Sequence, residues 1–424
     1  MKLSGQILAK INPEIVKQLC EIAPLVAKKD SSLWPLEQET INRLGWIDLP
    51  TKSRALLPEL DALSAWTRSN GLTEIVLCGM GGSSLAPEVI ASTYKKSLTI
   101  LDSTDPVQVN NSVPSDLNKS VIVISSKSGT TIETLSQYEF YVGKFKQANL
   151  NPTEHIVIVT DPGTPLDVIA RNEGYKVVNA DPNVGGRFSA LSAFGLVPAA
   201  LIGVDISLLL DDAEKLSPSL SSMDSPAIKI AASLFSLSDQ VINFCDKNST
   251  TPGLSYWIEQ LIAESTGKNS NGRLPVVIEE STESFSGITV GFTPGSYDLT
   301  IEATLGEQFL LWEWVTALLC FLLKVNPFNQ PNVAEAKDRT STILSSLTNN
   351  GVNTPTPTYE DSDYLIFSSQ KISNLSEFLK LKVSYFAILA YLDRGSDGEL
   401  LKIRELVAAK SKTATTFGWG PRYL

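Results

Sequence analysis

The stretch Val121–Thr134, VIVISSKSGTTIET, joins four β-branched residues to a hydroxyl-rich loop and then to a helical pattern. The run Val121–Ile124 predicts a strand that is buried on both faces of a sheet. The polar segment Ser125–Thr131 follows at once, and apolar residues at helical spacing resume from Ile132. A loop that leads from a strand into a helix presents unpaired backbone N–H groups and the positive end of the helix dipole. The stretch therefore predicts a turn suited to a phosphate monoester, with Ser126, Lys127, Ser128 and Thr131 around it.

The same loop has a second interpretation. Ser and Thr are preferred helix caps, so a capped turn without a ligand would contain the same residue types. A loop motif without its structural context is weak evidence. From this stretch alone both interpretations stay open.

Short apolar runs alternate with helical patterns on both sides of this stretch. Such alternation predicts βαβ units and a parallel sheet. The predicted strands of this first unit are Ile75–Cys78, Leu98–Leu101, Val121–Ile124, Ile156–Val159 and Lys176–Val178.

Two more glycine-rich loops follow predicted strands. GMGGSS (79–84) precedes a helix with a proline in its first turn, and VGGRFS (184–189) precedes the apolar helical stretch Ala190–Ile202. Neither loop is a dinucleotide fingerprint or a P-loop. Loops at the carboxyl ends of strands lie where open α/β sheets bind ligands. We expect Gly185 and Gly186 to let backbone amides and the Arg187 guanidinium approach one anion, whereas a surface salt bridge is the alternative for Arg187.

Glu264 is the candidate general base. It lies in the last turn of a predicted helix that starts near Tyr256 and ends at Gly267. A carboxylate beside an anion-binding loop suits the removal of a proton from carbon. Gln260, four residues earlier, lies on the same helical face and would reach the same ligand. The alternative is an exposed helix-end carboxylate paired with Lys268.

Composition excludes several classes of protein. The chain has 424 residues and a net charge of −11, which argues against a nucleic-acid partner. Its four cysteines are scattered, which favours buried reduced thiols over a disulfide framework or a metal site. The N-terminus does not resemble a signal peptide, and the most apolar stretch, Phe309–Leu323, carries Glu313 and is short for a membrane span. We therefore expect a cytoplasmic protein with no membrane partner.

The pattern along the chain predicts four parts. Residues 1–70 read as an N-terminal helical segment, and residues 71–215 as the first α/β domain with the phosphate loops. Residues 226–347 read as a second α/β domain, with strands at Val241–Cys245, Pro275–Ile278 and Ile288–Phe292. Residues 348–424 read as a C-terminal linker, rich in Asn, Thr and Pro at its start, followed by helices.

Five ordered motifs carry a family resemblance. They are GGSSLAP (81–87), SSKSGTTIET (125–134), VGGRFSALSAFGL (184–196), ESTGK (264–268) and VNPFNQPNV (325–333). In this order and spacing they resemble glucose-6-phosphate isomerase, above all its bacterial forms, from about residue 74 onward. The resemblance implies two sugar-isomerase (SIS) domains, each an α/β/α sandwich with a mostly parallel sheet, plus N-terminal helices. It also implies a homodimer without a metal or organic cofactor.

The resemblance also implies residue roles. Ser126, Ser128 and Thr131 would hold the substrate phosphate, with Gly82, Ser83, Lys127 and Gly186 nearby. Arg187 would stabilise an enediolate, and Glu264 would carry the proton between C2 and C1. Gln260 would line the pocket, and Glu133 would orient other groups. The substrate implied is glucose 6-phosphate, interconverted with fructose 6-phosphate.

One departure from the family concerns ring opening. The family opens the sugar ring with a histidine and with a lysine near the C-terminus. The single histidine here, His155, starts a predicted strand, at the end of the sheet opposite the phosphate loops, and is expected to be structural. The sequence stops at GWGPRYL, which resembles the stretch before the family's histidine- and lysine-containing segment. A shortened chain, a weak activity and another route of ring opening stay open. So do a sugar-phosphate-binding protein with little turnover and a relative acting on another sugar phosphate.

Overall fold

The computed structural model describes residues 1–37, 40–41, 43–237, 239–280, 286–350, 356–370, 372 and 374–422. Two five-stranded sheets organise this part of the chain. The strands are β1 (Lys2–Ser4), β2 (Glu74–Gly79), β3 (Thr99–Leu101), β4 (Ser120–Ser125), β5 (Ile156–Thr160), β6 (Lys176–Asn179), β7 (Val241–Cys245), β8 (Leu274–Val277), β9 (Ile288–Gly291), β10 (Leu299–Glu302), β11 (Tyr359–Glu360), β12 (Leu365–Ile366), β13 (Phe386–Ala390) and β14 (Thr415–Trp419).

Helices connect and cover these strands. They are α1 (Pro13–Ala27), α2 (Leu49–Lys52), α3 (Leu57–Ser69), α4 (Leu85–Thr93), α5 (Pro106–Asn111), α6 (Ile132–Gln147), α7 (Pro165–Glu173), α8 (Ala193–Leu201), α9 (Ile206–Leu220), α10 (Pro226–Phe235), α11 (Leu254–Thr266), α12 (Leu305–Leu323), α13 (Pro331–Asn350), α14 (Leu375–Phe378) and α15 (Lys402–Ser411). The fold is a mixed α/β architecture with two mostly parallel sheets of the SIS type, as the sequence predicts.

The first sheet has the strand order β3-β2-β4-β5-β6, and all its pairs are parallel. The four β-branched residues of the central strand, Val121–Ile124, are fully buried. Val121 and Val123 face the large core, whereas Ile122 and Ile124 pack with α6 and α7 on the other face. The alternation of side chains along a strand therefore places apolar residues on both faces, as predicted. Chain order reverses between β2 and β4, so a crevice opens beside their carboxyl ends.

The second sheet has the order β1-β10-β9-β7-β8. Its strands are parallel except for β1, which pairs antiparallel with β10 at the edge. The prediction of an entirely helical segment over residues 1–70 is therefore wrong at Lys2–Ser4. A three-residue strand carries too short a pattern to be recognised, and its pairing with Thr300–Glu302 exists only in the folded chain.

Helix α12 fills the centre of the molecule. It is 19 residues long, begins with a capping box between Thr304 and Glu307, and is buried on nearly every side. It begins four residues before the predicted apolar stretch, Phe309–Leu323, and is therefore longer than expected. At this length it is the one helix in the described ranges that is long and apolar enough to cross a membrane. However, 94% of its apolar window is buried inside the protein. It is therefore placed as a core helix.

The C-terminal part contains strands that the sequence pattern did not predict. β13 and β14 form a two-stranded parallel sheet with Phe386 opposite Thr415. Ala414 packs against Val276 and Ile278 of the second sheet's edge. The four domain boundaries proposed from sequence stay a prediction, and residues 351–355 of the expected linker lie outside the described residues.

Candidate active site

The loop after β4 holds its hydroxyls close together. Ser126 is buried, its backbone N–H donates to the Val159 carbonyl at 3.0 Å, and its Oγ donates to Thr131 Oγ1 at 3.1 Å. Thr131 occupies the N-cap position of α6, yet its side chain makes no capping hydrogen bond. Ser128 is exposed, and its Oγ accepts from Thr130 Oγ1 at 2.9 Å. The Thr131 hydroxyl is thus not used as a helix cap.

Lys127 lies in this loop but its ammonium is paired. Its Nζ is 2.5 Å from Asp161 Oδ2, at the end of the neighbouring strand β5. Burial lowers the pKa of Lys127 and raises the pKa of Asp161, although each partner favours the charged form of the other. The Lys127 ammonium is therefore paired with Asp161 and is not left as an unpaired cation for a ligand.

The loop after β2 meets two other parts of the site. Gly81 has a φ of +55°, and a Cβ there would stand 2.6 Å from Gln260 Nε2. A Cβ on Gly82 would stand 2.2 Å from the Gly186 carbonyl oxygen. The Gly-rich loop therefore touches the Arg187 loop backbone to backbone, which only glycine at position 82 permits. Ser83, the next residue, is half-buried.

Arg187 is buried, with 5% of its surface exposed. Its Nη1 lies 2.9 Å from Glu264 Oε1. The other acceptors of the guanidinium are Ser265 Oγ (2.8 Å), Pro327 O (2.5 Å), Asn329 O (2.8 Å) and Gln330 Oε1 (3.3 Å). The alternative of a surface salt bridge is wrong, because this arginine is held in one orientation by acceptors from two other segments.

Glu264 lies in the last turn of α11, where the Gly267 N–H donates to the Ala263 carbonyl and ends the helix. Its side chain is 21% exposed, so the carboxylate contacts Arg187 and is also partly accessible to solvent. Gln260 Nε2 lies 3.3 Å from Glu264 Oε2. The Gln260 Oε1 atom is buried and has no hydrogen-bond partner within the described ranges. It is therefore an unsatisfied acceptor enclosed beside Glu264.

Lys268 does not pair with Glu264. Its Nζ donates to the carbonyl oxygens of Asn326 and Asn329, and Asn329 O also accepts from Arg187. Burial, and then the charge of Arg187, lower the pKa of Lys268 to about 8. Arg187 and Lys268 thus hold the loop of residues 326–330 together, and Glu264 is left to Arg187 and Gln260.

Two further residues considered in the sequence are Glu133 and His155. Glu133, in the first turn of α6, is half-buried, and its charge adds to burial in raising the pKa of Tyr391. His155 stacks on Phe145 and shares a 3.0 Å hydrogen bond with the Ser120 carbonyl, at the amino end of β4. It is therefore at the end of the sheet opposite the loops, as expected.

Sequence reasoning assigned no role to the C-terminal motif GWGPRYL or to the loop of residues 326–330. Arg422 from that motif is buried against the first sheet, and the 326–330 loop carries the acceptors of Arg187. The order of the motifs was visible in the sequence. The contacts between them depend on how distant segments pack.

Comparisons with known proteins concern the family and the fold of the chain. The family model "Phosphoglucose isomerase" matches residues 55–270. The chain is 31% identical over 261 residues to the "Probable glucose-6-phosphate isomerase" of Haloarcula marismortui, covering 58% of this chain and 56% of that protein. It is 29% identical over 308 residues to the "Glucose-6-phosphate isomerase" of Methanocaldococcus jannaschii, covering 68% of this chain and 73% of that protein.

The fold is similar to a solved structure. A crystal structure of a glucose-6-phosphate isomerase from Chlamydia trachomatis superposes with a TM-score of 0.66 and 18% sequence identity, covering 79% of this chain and 86% of that one. At this identity the likeness concerns the fold alone. In sequence, the chain matches little more than half the length of the first of these relatives.

Proposed function

The chain belongs to the phosphoglucose isomerase family, and from this premise we propose that it interconverts glucose 6-phosphate and fructose 6-phosphate through an enediolate. The observation that carries the proposal is the Glu264 carboxylate, held 2.9 Å from the buried Arg187 guanidinium and 3.3 Å from the Gln260 amide. A protein that only binds sugar phosphates has no need for a carboxylate in this position. The base, the cation and two phosphate-type loops are the parts that an aldose–ketose isomerase requires.

Phosphate binding is the first step of the proposal. The hydroxyls of Ser126, Ser128 and Thr131, with Ser83 from the adjacent loop, would accept the phosphate together with the first N–H groups of α6. Gly82 and Gly186 bring two backbone segments into contact at this point, so a ligand would not fit between the two loops. Lys127 would contribute its charge through the pair with Asp161.

Proton transfer is the second step. Glu264 would remove the proton from C2 of the open-chain aldose, the C–H electron pair would form the C1=C2 bond, and the C1=O1 π pair would move onto O1 to give the enediolate. The same carboxyl would then return the proton to C1, while a proton moves from the O2 side to the O1 side. Arg187 would stabilise the negative charge on the two oxygens, because its guanidinium already adjoins the base. Gln260 Oε1 would accept a sugar hydroxyl, and Glu133 would orient neighbouring groups.

Ring opening is not assigned to a residue in this proposal. His155 is excluded by its place at the opposite end of the first sheet. Slow turnover of the closed sugar, compared with the open-chain fraction, is expected if no other group supplies this step.

The proposal also covers the assembly, location and partners of the protein in the cell. We expect a homodimer that acts in the cytoplasm, without nucleic-acid or membrane partners. The net charge of −11 and the buried position of the apolar helix α12 support the latter expectation.

The function is tested with purified protein and glucose 6-phosphate in deuterated water. Isomerase activity requires that fructose 6-phosphate forms and that deuterium enters at C2 of the recovered aldose. Calorimetry with the same ligand measures binding in parallel. Binding without exchange would overturn the isomerase and support a sugar-phosphate-binding protein instead. Exchange with another hexose or pentose phosphate, but not with glucose 6-phosphate, would contradict the substrate while leaving the reaction class.

A further inference from the structure

The C-terminal segment is joined to the first sheet by buried ion pairs. Arg422 is 5% exposed, its Nε donates to Asp102 Oδ2 at 2.6 Å, and its Nη2 donates to Glu88. Asp102 directly follows β3 and is 3% exposed, whereas Glu88 lies in the first turn of α4. Arg394 Nη1 donates to the other oxygen of Glu88 at 2.8 Å. One guanidinium thus holds two carboxylates that flank the loop after β2.

These charges depend on one another. Burial raises the pKa of Asp102, but the charges of Arg422 and Arg394 outweigh it and lower that pKa below its usual value. Asp102 is therefore ionised at neutral pH although it is buried. Removing one partner of such a pair leaves a buried charge uncompensated, which is strongly destabilising. The pair consequently determines where the Arg422 backbone lies.

The same ion pairs adjoin the candidate active site. The Ser84 hydroxyl donates to the Gly81 carbonyl at 3.1 Å and lies beside Asp102, whose pKa it helps to lower. The Arg422 carbonyl oxygen is 3.7 Å from the point where a Cβ on Gly81 would stand, and Gln260 Nε2 is 2.6 Å from that point. The Gly81 backbone is therefore enclosed between the Arg422 main chain and the Gln260 amide. That amide is the one that donates to Glu264.

We propose that Arg422 is a positioning residue of the active site: its ion pairs with Asp102 and Glu88 hold the Gly81 loop and Gln260 in the arrangement that presents Glu264 to the substrate. The inference rests on the proposed isomerase function. Arg422 acts through the loop and contacts no reacting atom. Its effect on activity therefore exceeds that of Arg404, another anchor of the segment, which is 3% exposed and donates to Glu279 beside the second sheet.

The kinetic test compares three variants of the full chain. Arg422→Met is expected to lower kcat for glucose 6-phosphate at least tenfold, with KM changed less than threefold, because three of the four hydroxyls proposed to bind the phosphate belong to the loop after β4 and only Ser83 belongs to the loop after β2. Arg422→Lys keeps the charge but lacks the planar fork that reaches two carboxylates, so it recovers only part of kcat. Arg404→Met, the matched control, keeps kcat within about twofold of the wild type even if its Tm falls. A similar kcat loss in Arg404→Met, or wild-type kcat in both Arg422 variants, overturns the proposal.

A second readout does not depend on turnover. The N–H groups of Ser83 and Ser84 donate to Met80 O and Gly81 O within the loop, and their hydrogen exchange reports how firmly the loop is held. Exchange of the peptide covering residues 79–85 is expected to rise at least tenfold in Arg422→Met, less in Arg422→Lys, and not in Arg404→Met. An Arg422→Met chain that does not fold leaves the decision to Arg422→Lys. Unchanged exchange in the Arg422 variants overturns the proposal whatever the activity, whereas an inactive wild type with the expected exchange contradicts only the isomerase.

Discussion

At the scale of single residues, the proposed phosphate loop contains the hydroxyls of Ser126 and Thr131, which are hydrogen-bonded to each other and lie before α6. We predict that Ser126→Ala combined with Thr131→Ala weakens phosphate-ester binding by well over tenfold. Each change removes a hydrogen bond to a charged group, worth roughly 1.5–3 kcal/mol. Calorimetric titration with glucose 6-phosphate and with inorganic phosphate measures the loss.

The matched control for this pair is Ser136→Ala. Ser136 lies on the exposed side of α6, where its hydroxyl donates to the Ile132 carbonyl at 2.8 Å. Its removal is expected to leave affinity unchanged. Equal affinities in the double variant and the wild type would show that the anion binds elsewhere.

The histidine gives the opposite expectation. His155→Gln should keep isomerase activity within a few-fold of the wild type, since the ring packs on Phe145 at the amino end of the first sheet. A steady-state assay with circular dichroism as the folding control measures this. Loss of several hundredfold in a folded variant would contradict a structural role.

At the scale of elements, the contact between the β2 loop and the Arg187 loop is steric. Gly82→Ala would place a Cβ 2.2 Å from the Gly186 carbonyl oxygen, so one of the two loops has to move. We predict a loss of kcat/KM of at least tenfold in a folded protein. Gly143→Ala in α6 is the control, because a Cβ there meets no atom within 4 Å and alanine favours a helix. Similar activities of the two variants would show that the contact between the loops is unimportant.

The core helix α12 contains a buried carboxyl group, that of Glu313. Glu313 is fully buried, and neither carboxylate oxygen has a hydrogen-bond partner in the part of the chain that the structure describes. Burial raises its pKa well above the usual value, so the folded state holds a proton that the unfolded state releases above about pH 4.5. This contribution to stability is complete below that pH. It is lost at about 1.4 kcal/mol per pH unit as the pH rises toward the folded-state pKa.

Glu313→Gln removes this dependence. We predict that the variant and the wild type differ little in their free energy of unfolding near pH 4.5, and that the variant becomes the more stable one as the pH rises to 8. Urea titrations at both pH values measure the difference. A constant difference between the two proteins across this range would show that Glu313 is ionised in the fold or exposed.

Sequence patterns were sufficient for the elements whose signal is local. Val121–Ile124 is a continuous apolar run and Leu305–Leu323 is mostly apolar, so their burial follows largely from composition. β1 was not predicted, because it is only three residues long and pairs with the distant segment Thr300–Glu302. β13 and β14 have five residues each and were also not predicted, because their pairing exists only in the folded chain. At the site, the loops and Glu264 were recognisable, but the partners were not. The alternative interpretation paired Glu264 with Lys268, and the fold gives that place to Arg187.

At the scale of the whole molecule, both sheets contribute to one site and share one core. The proposed phosphate loops follow β2 and β4 of the first sheet, whereas Glu264 and Gln260 lie on α11, between β7 and β8 of the second. Arg187 joins the two parts through Glu264 and the 326–330 loop. We therefore expect phosphate binding and proton transfer to be separable, because different units supply them.

The most direct test of that claim is proton exchange at C2 of glucose 6-phosphate, followed by NMR in deuterated water with the wild type, Glu264→Gln and the exposed control Glu139→Gln. Arg187 keeps its four other acceptors in Glu264→Gln, so the fold and the phosphate site should remain. We predict that Glu264→Gln binds the ester within about tenfold of the wild type but loses exchange by at least 10²-fold, as expected for a positioned general base. Glu139→Gln should exchange as the wild type does. Exchange retained in Glu264→Gln at close to the wild-type rate would assign the base to another residue and contradict the account.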